Sequence, residues 1–295
     1  MSAPPVGFVG LGIMGSAMSG HLLRAGFPVV GFDVDPRRVA EHEQRGGTSA
    51  GSPAAVARDV DVLVTSLPNA GTLSTVLEGQ DGVATGARPG LVVIETSTLG
   101  PDTKEAARAS AEAFQAVLLD CPMSGTGQQA RDGDLVAYLS GDDEAAKAAA
   151  LPVLEAFTRA QYDLGAFGNG TRMKLVANLL VAVHNAAAAE ALLLAERAGL
   201  DLGQVLQAVG DGAGGSRMLQ VRGPLMVADR YDEPTATVAV MQKDNALIAA
   251  FAAGVASPTP LFSATNVLYQ AALAQGRLDE DTACVFGVLR RLAGQ

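Results

Sequence analysis

The sequence of 295 residues has no tryptophan, two cysteines and three histidines, and only 18% of its residues are charged. Cys121 and Cys284 cannot form a disulfide framework and lack the paired spacing of a zinc site, so they fit a reducing compartment. The histidines do not cluster in the sequence, and we expect no metal site. Acidic residues outnumber basic ones by 31 to 21, and the formal net charge of −10 disfavours nucleic acid as a partner.

A targeting or membrane segment is also missing from the pattern. The apolar start has no positively charged region, because the first basic residue is Arg24. The longest apolar stretch, 175–195, is interrupted by Asn178, His184, Asn185 and Glu190, which a membrane span tolerates poorly. We therefore expect a cytoplasmic protein that does not bind a membrane.

Hydrophobic residues make up 48% of the chain, which is enough for a large core, and the length suggests two domains. Residues 1–164 alternate apolar strands with alanine-rich helices, a pattern typical of parallel βαβ units. The predicted strands are 6–9, 29–33, 60–66, 91–95, 116–120 and 135–140, and the helices between them include 14–25, 36–45, 53–58, 72–77 and 101–113.

Residues 165–295 contain only helical patterns. The first is a run over 171–199 that is apolar nearly all round, so it must be buried between domains or against a second subunit. Further helices are predicted at 202–209, 220–227, 238–253, 260–275 and 281–293. We predict an α/β fold in which an N-terminal, doubly wound parallel sheet is followed by a long interdomain helix and an all-α C-terminal domain.

The first predicted strand runs into a Gly-x-Gly-x-x-Gly turn, Gly10, Leu11, Gly12, Ile13, Met14 and Gly15. Its first glycine permits a tight turn, the second lets the backbone approach a pyrophosphate, and the third allows close packing of helix on strand. The amides that open the following helix would hold the phosphates. The alternative is a structural glycine turn in a domain that binds no nucleotide.

Asp33 ends the second predicted strand, where an acid accepts hydrogen bonds from the ribose hydroxyls of a dinucleotide. A carboxylate there repels the additional phosphate of NADP, so we expect NAD as the preferred cofactor. Arg37 and Arg38 lie close by in the sequence and could capture that phosphate instead, although such residues are commonly the exposed start of a helix.

Three further segments carry polar side chains suited to chemistry, each with a structural alternative. The turn 120–127 exposes amides beside hydroxyls and suits a carboxylate, but it equally fits a surface turn. Lys174 and Asn178 share one face of the long helix, and burial of a lysine suits it to acid–base catalysis; Lys174 could equally extend to solvent at a domain boundary. Lys243 and Asp244 by themselves read as a solvated pair.

These segments, in this order, resemble the β-hydroxyacid dehydrogenase family, which includes 3-hydroxyisobutyrate dehydrogenase and tartronate semialdehyde reductase, and the resemblance covers essentially the whole chain. The glycine turn with Met18 is similar to the family's opening. Further matches are Leu67-Pro68 with Thr72, Ser97-Thr98 with Pro101, the Ser124-Gly125 turn, the segment 168–178 and the pair Lys243-Asp244. The implied fold of the N-terminal domain is of the Rossmann type.

The resemblance implies a role for each match. Lys174 would be the general acid and base, Asn178 would orient the substrate oxygen, and Ser124, Gly125 and Thr126 would bind its carboxylate. Leu67, Pro68, Thr72, Thr98 and Lys243 would contact the cofactor. A homodimer or homotetramer is also implied. One departure is Thr126, followed by Gln128 and Gln129, where many relatives have a second glycine.

We therefore expect an enzyme that transfers a hydride between NAD(H) and a small 3-hydroxy acid or its semialdehyde. One alternative is imine reduction on the same fold, which the presence of Lys174 disfavours. The other is a non-catalytic sensor that binds NAD, which the presence of Lys174, Asn178 and Ser124 disfavours.

Overall fold

A computed structural model describes residues 3–294, and the chain divides into two compact units between Lys174 and Leu175. The predicted domains were 1–164 and 165–295, so the prediction placed residues 165–174, with the start of the long helix, in the second domain. The domain boundary at 164 stays a prediction.

The first unit is built on a six-stranded parallel sheet. Its elements are β1 (Val6–Val9), α1 (Ile13–Arg24), β2 (Val29–Phe32), α2 (Pro36–Gln44), β3 (Thr48–Ser49), α3 (Pro53–Ala57), β4 (Val62–Thr65), α4 (Ala70–Glu78), α5 (Val83–Gly86), β5 (Val92–Glu95), α6 (Pro101–Ala113) and β6 (Val117–Asp120). Every residue of β1, β4 and β5 is buried, which accounts for their uninterrupted apolar sequences.

The strand order is β3-β2-β1-β4-β5-β6, and every neighbouring pair is parallel. This order confirms the predicted doubly wound sheet of the Rossmann type. The direction of winding reverses between β1 and β4, and in such sheets ligands bind outside the carboxyl ends of the strands at that reversal. The glycine turn follows β1 directly and therefore lies at this point.

A small second sheet, of order β7-β8-β9, completes the first unit. Its elements are β7 (Met123–Ser124), α7 (Gly127–Asp132), β8 (Leu135–Leu139), α8 (Glu144–Glu155) and β9 (Thr158–Asp163). The sequence predicted β8 but neither β7 nor β9. β9 is polar and only its first residue is buried, so it lacks the hydrophobic pattern that marks the other strands.

The remainder is helical, as predicted. It comprises α9 (Asn169–Arg197), α10 (Leu202–Asp211), α11 (Arg217–Val227), α12 (Val238–Gly254), α13 (Pro260–Ala274), a 3₁₀ turn (Thr282–Cys284) and α14 (Val285–Leu292). The predicted helix 281–293 thus begins with a 3₁₀ turn, because the Asp281 carboxylate accepts from the Ala283 amide and caps that turn. Among residues 175–294, the strand-like pairing is a single bridge between Thr237 and Asp281.

The long helix α9 has the length and hydropathy of a membrane-crossing segment, with a mean hydropathy of 1.5 over its most apolar window of 18 residues. Half of that window is buried within the fold, as is common for the central helix of a packed domain. Leu175, Ala182, Ala189 and Leu192 from α9 belong to the core of the second unit.

Candidate active site

Two of the three glycines in the turn after β1 are required by the fold. Gly10 has a φ of +96°, and a Cβ there would lie 2.2 Å from the Ser66 carbonyl oxygen. A Cβ on Gly15 would lie 1.8 Å from the Gly10 carbonyl oxygen, so α1 packs on its own turn with no room for a side chain. These contacts match the roles predicted for the first and third glycines.

The second glycine faces open space, which is what a pyrophosphate needs. The nearest atom to a Cβ on Gly12 would be Arg38 Nη1, 3.7 Å away. Gly12 is the N-cap of α1, and no side chain caps the helix and no acid occupies its first turn. Its amides are therefore available to an anion at the positive end of the helix dipole. The turn fits a dinucleotide, and Ile13, the first residue of α1, is 64% exposed beside it.

Asp33 lies directly after β2 and reaches back to this turn. Its Oδ2 accepts from the Leu11 amide at 2.7 Å, and its Oδ1 accepts from the Asp35 amide at 2.8 Å. Arg38 Nη1 is 3.4 Å from Oδ2. Oδ2 thus accepts from two donors, whereas Oδ1 accepts from one and has a second lone pair. Asp33 therefore shapes the turn and also retains acceptor capacity for a ribose hydroxyl.

The other predicted cofactor turns follow β4 and β5, which are the next strands in the sheet. The Leu67 amide donates to Ser97 Oγ at 2.8 Å, so the two turns are bonded to each other. Thr72 lies in the first turn of α4, where its amide donates to Oδ1 of the N-cap residue Asn69 at 2.8 Å. Pro68 is exposed and Thr98 is half-buried. The sheet therefore brings the three predicted turns to one edge.

The predicted carboxylate turn follows β6 and is ordered by its own contacts. Gly125 has a φ of +145°, and a Cβ there would lie 2.6 Å from Leu135 Cδ2. Thr126 caps α7: its Oγ1 accepts from the Gln129 amide at 3.3 Å, while its own amide donates to Gln129 Oε1 at 3.0 Å. Ser124 lies in β7 and is half-buried. Thr126, which departs from the family pattern, thus serves as the N-cap of α7.

Lys174 and Asn178 lie one turn apart on α9, and both are buried, at 8% and 7% exposure. Asn178 Nδ2 donates to Asp244 Oδ2 at 2.8 Å. The other oxygen of Asp244 is 3.3 Å from Lys243 Nζ. The predicted pair Lys243-Asp244 therefore belongs to the surroundings of Asn178 and is not an isolated surface pair.

Two sets of buried polar contacts were not predicted. Asp244 holds the Asn178 amide, and its place on α12 gave no sign of that contact. Glu95, Lys104 and Asp120 are all fully buried and form an ion cluster in the first unit. A signal for the two acids was present, because each is the last residue of an apolar strand, and the carboxyl ends of parallel strands lie at one edge.

Among residues 3–294, no three His, Cys, Asp or Glu side chains come together as a metal site. A surface pocket of about 340 Å³ lies in the second unit and contains none of the predicted site residues. It is lined by Glu196, Asp229, Arg277, Gly287, Arg290 and Arg291.

Known proteins resemble the chain along nearly its full length. Residues 5–167 match the NAD binding domain of 6-phosphogluconate dehydrogenase, and residues 168–289 match the NAD-binding domain family of NADP-dependent 3-hydroxyisobutyrate dehydrogenase. An L-threonate dehydrogenase from Cupriavidus necator is 34% identical over 96% of this chain and 95% of its own length. A 3-sulfolactaldehyde reductase from Escherichia coli is 30% identical over 98% and 97%.

A solved structure extends the similarity to the fold. The crystal structure of a 3-hydroxyisobutyrate dehydrogenase from Salmonella typhimurium superposes with a TM-score of 0.88 at 34% identity. The match covers 97% of this chain and all of the other.

Proposed function

We propose a reaction and a set of residue roles for this chain, which belongs to the β-hydroxyacid dehydrogenase family and is a nicotinamide-dependent oxidoreductase that acts on CH–OH groups. The substrate is a small 3-hydroxy acid or the corresponding semialdehyde. The proposal rests above all on one observation: the buried Lys174 and Asn178 lie one helical turn apart on α9.

Lys174 is the general acid and base of the proposed reaction. When bound, the cofactor supplies the hydride acceptor for alcohol oxidation and the hydride donor for carbonyl reduction. In oxidation, neutral Lys174 takes the hydroxyl proton as the carbonyl forms. In reduction, protonated Lys174 gives that proton to the carbonyl oxygen and neutralises the charge that develops there.

Asn178 orients the substrate oxygen, and Asp244 orients Asn178. The hydrogen bond from Asn178 Nδ2 to Asp244 Oδ2 restricts the amide to one rotamer. The other oxygen of the Asp244 carboxylate lies 3.3 Å from Lys243 Nζ, so Lys243 holds the acceptor from its second side. A restricted amide keeps the reacting oxygen aligned, which contributes to the rate by orientation.

The substrate carboxylate binds at the turn of Ser124, Gly125 and Thr126. The Ser124 hydroxyl and the Gly125 amide are its donors, because the Thr126 amide already donates to the Gln129 side chain. Thr126 limits the space beside them. The relatives act on a polyhydroxy acid and on a sulfonated aldehyde, by their names. We therefore include threonate and a sulfonate analogue among the candidate substrates.

NAD is the proposed cofactor, in preference to NADP. Asp33 is charged and lies against the turn that would carry the ribose, so it opposes a 2′-phosphate. Arg38 lies 3.4 Å from the same carboxylate and partly offsets this charge, so we expect a preference and not strict exclusion.

The proposed assembly is a homodimer or homotetramer. The second unit exposes apolar side chains along one stripe of α9: Val176 is 53% exposed, Leu180 48% and Leu194 73%. Such a stripe on a helix is typical of a surface that another helix covers.

We also propose a cytoplasmic location. It agrees with the two cysteines, which are free thiols and buried. Burial raises the pKa of Cys284 to about 12, so this thiol stays protonated.

The test is NADH formation at mildly alkaline pH with 3-hydroxyisobutyrate, glycerate, 3-hydroxypropionate, threonate and a sulfonate analogue. Lys174→Ala is compared with Lys147→Ala, because Lys147 is a buried lysine whose ion pair with Asp163 lies outside the proposed site. We expect Lys174→Ala to lower kcat at least ~10²-fold with NADH binding retained. We expect Lys147→Ala to keep wild-type turnover.

Wild-type turnover in Lys174→Ala would remove that residue from the mechanism. Turnover of cyclic imines without oxidation of any hydroxy acid would favour an imine reductase. NAD binding with no turnover of either class would favour a sensing role.

A further inference from the structure

Two carboxylates meet inside the first unit at the ends of neighbouring strands. Glu95 and Asp120 are paired in register as the last residues of β5 and β6, and neither side chain is exposed. Lys104, in the first turns of α6, is also fully buried. Its Nζ forms an ion pair with Glu95 and lies 3.0 Å from Asp120 Oδ1. We call these three residues the ion triad.

The ion triad carries two negative charges and one positive charge. Burial alone would lower the pKa of Lys104, but the charges of Glu95 and Asp120 outweigh burial and raise it. The site therefore favours the ammonium form of Lys104. The remaining negative charge needs a partner, because an uncompensated buried charge is costly.

That partner is the first turn of α9. The Thr171 amide donates to Asp120 Oδ2 at 2.7 Å, and the Thr171 hydroxyl donates to Asp120 Oδ1 at 2.8 Å. Ser140 Oγ also lies 3.3 Å from Asp120 Oδ2 and accepts from the Gly170 amide at 2.9 Å. The carboxylate thus binds the positive end of the helix dipole directly through Thr171, and Ser140 connects it to the Gly170 amide.

The same contacts determine how α9 is rotated where it begins. Thr171 is 2% exposed and precedes Lys174 by one turn of the helix. A Cβ on Gly170 would lie 2.3 Å from the Tyr138 carbonyl oxygen, so this turn lies directly on the strands. A shift of the Thr171 contacts would therefore move Lys174 with it.

The ion triad also reaches the predicted cofactor turns. Glu95 Oε1 accepts from the Ser97 amide at 3.0 Å, and Ser97 Oγ accepts from the Leu67 amide at 2.8 Å. One connected set of hydrogen bonds therefore runs from the ends of β4 and β5, through Lys104 and Asp120, to α9.

We propose that the ion triad is a positioning device, which holds Thr171 and thereby places Lys174 correctly relative to the turns that follow β4 and β5. Apolar residues of similar volume would stabilise a fold as well as a buried ion cluster. The polar cluster also fixes orientation, because each of its hydrogen bonds requires a donor and an acceptor at a defined distance and angle. This inference rests on the proposed role of Lys174.

The test compares two variants of Thr171. Thr171→Val keeps the side-chain shape and the hydrogen bond of the backbone amide to Asp120 but removes the hydroxyl donor. Thr171→Ser retains a hydroxyl donor at the same position. Thr158→Val is the matched control, because Thr158 is also buried and its hydroxyl donates to the Leu154 carbonyl outside the set. We expect Thr171→Val to lower kcat about tenfold or more with the KM for NAD unchanged, since misplacement of a reacting group by ~1 Å costs up to ~10² in rate. Thr171→Ser should recover most of it, and Thr158→Val should match the wild type.

A second readout does not depend on turnover. Amide hydrogen exchange across 168–178, measured without substrate, should be faster in Thr171→Val than in the wild type, Thr171→Ser and Thr158→Val. If the wild type turns over no compound in the panel, the proposed function fails while this measurement still judges the positioning role. Unchanged exchange, unchanged kcat in Thr171→Val, or equal losses in Thr171→Ser would each overturn it. Should Thr171→Val not fold, Ser140→Ala, which breaks the Gly170 contact, replaces it.

Discussion

Substitutions in the glycine turn should separate cofactor binding from folding. A Cβ on Gly12 meets only Arg38 Nη1, at the ordinary contact distance of 3.7 Å, and the φ of −66° suits alanine. A Cβ on Gly10 would lie 2.2 Å from the Ser66 carbonyl oxygen, at a φ of +96°. We therefore expect Gly12→Ala to weaken NADH binding without unfolding the protein, and Gly10→Ala to destabilise the fold itself.

The magnitudes follow from these contacts. At an N-cap, alanine is worse than glycine by about 0.5–1 kcal/mol, while the reduced entropy of the unfolded chain returns about 0.4–1 kcal/mol. The Tm of Gly12→Ala should thus stay within about 3 °C of the wild type. At Gly10, the left-handed conformation alone costs about 1–2 kcal/mol, and the overlap with Ser66 adds to it. A fall of at least about 4 °C is expected there.

The binding assay is titration of NADH followed by nicotinamide fluorescence, which no tryptophan emission disturbs because the chain has none. A methyl group on Gly12 occupies the space in front of the first amides of α1. We expect the Kd of Gly12→Ala to rise at least tenfold, which is about 1.4 kcal/mol. An unchanged Kd together with an unchanged Tm would refute the assignment of this turn to the pyrophosphate.

Three other predictions concern specificity, substrate binding and stability. Asp33→Asn should shift the ratio of kcat/KM for NAD and NADP toward NADP by about tenfold, since it removes the charge that opposes a 2′-phosphate; an unchanged ratio would mean that other residues choose the cofactor. Gly125→Ala should raise the KM for the acid but not the Kd for NADH. The residue has a φ of +145°, and the new Cβ would lie 2.6 Å from Leu135 Cδ2, so the turn must shift. Equal changes in the KM and the Kd would contradict a separate carboxylate site. Burial lowers the pKa of His42 in the folded protein, so the unfolded chain binds a proton at a higher pH than the folded one. The free energy of unfolding should therefore fall as the pH drops below about 6.5. If the Tm of His42→Leu depends on pH as steeply as that of the wild type, this reasoning is wrong.

The fold was predictable where burial leaves a pattern in the sequence. β1, β4 and β5 are buried on both faces and are therefore apolar throughout, and the glycine turn identifies which strand comes first in the dinucleotide unit. β9 was not predictable, because its residues Thr158–Asp163 are mostly polar and pair with β8 at the edge of a small sheet. Its formation depends on a neighbour that only the tertiary fold supplies.

Among the proposed site residues, those that lie close together in the sequence could be related to one another from the sequence alone. Lys174 and Asn178 share a helix face, so their relation follows from helix geometry alone. The contact of Asn178 with Asp244 joins residues 66 positions apart, and no periodicity connects them. A sequence pattern can therefore identify the side chains proposed to contact the substrate, while the groups that bond to them come from other elements.

Lys104 illustrates why that division arises. Helix α6 is rich in charged residues, and a lysine in its first turns has the sequence context of a solvated surface residue. Its burial follows only from the pairing of β5 with β6, which puts Glu95 beside Asp120 and leaves two carboxylates that require a cation. Because that requirement arises from the sheet, the lysine that meets it could stand on any element covering the strand ends. The residues proposed to orient this site are thus brought together by electrostatics within the fold, whereas Lys174 and Asn178, the residues proposed to contact the substrate, are related by their spacing on one helix.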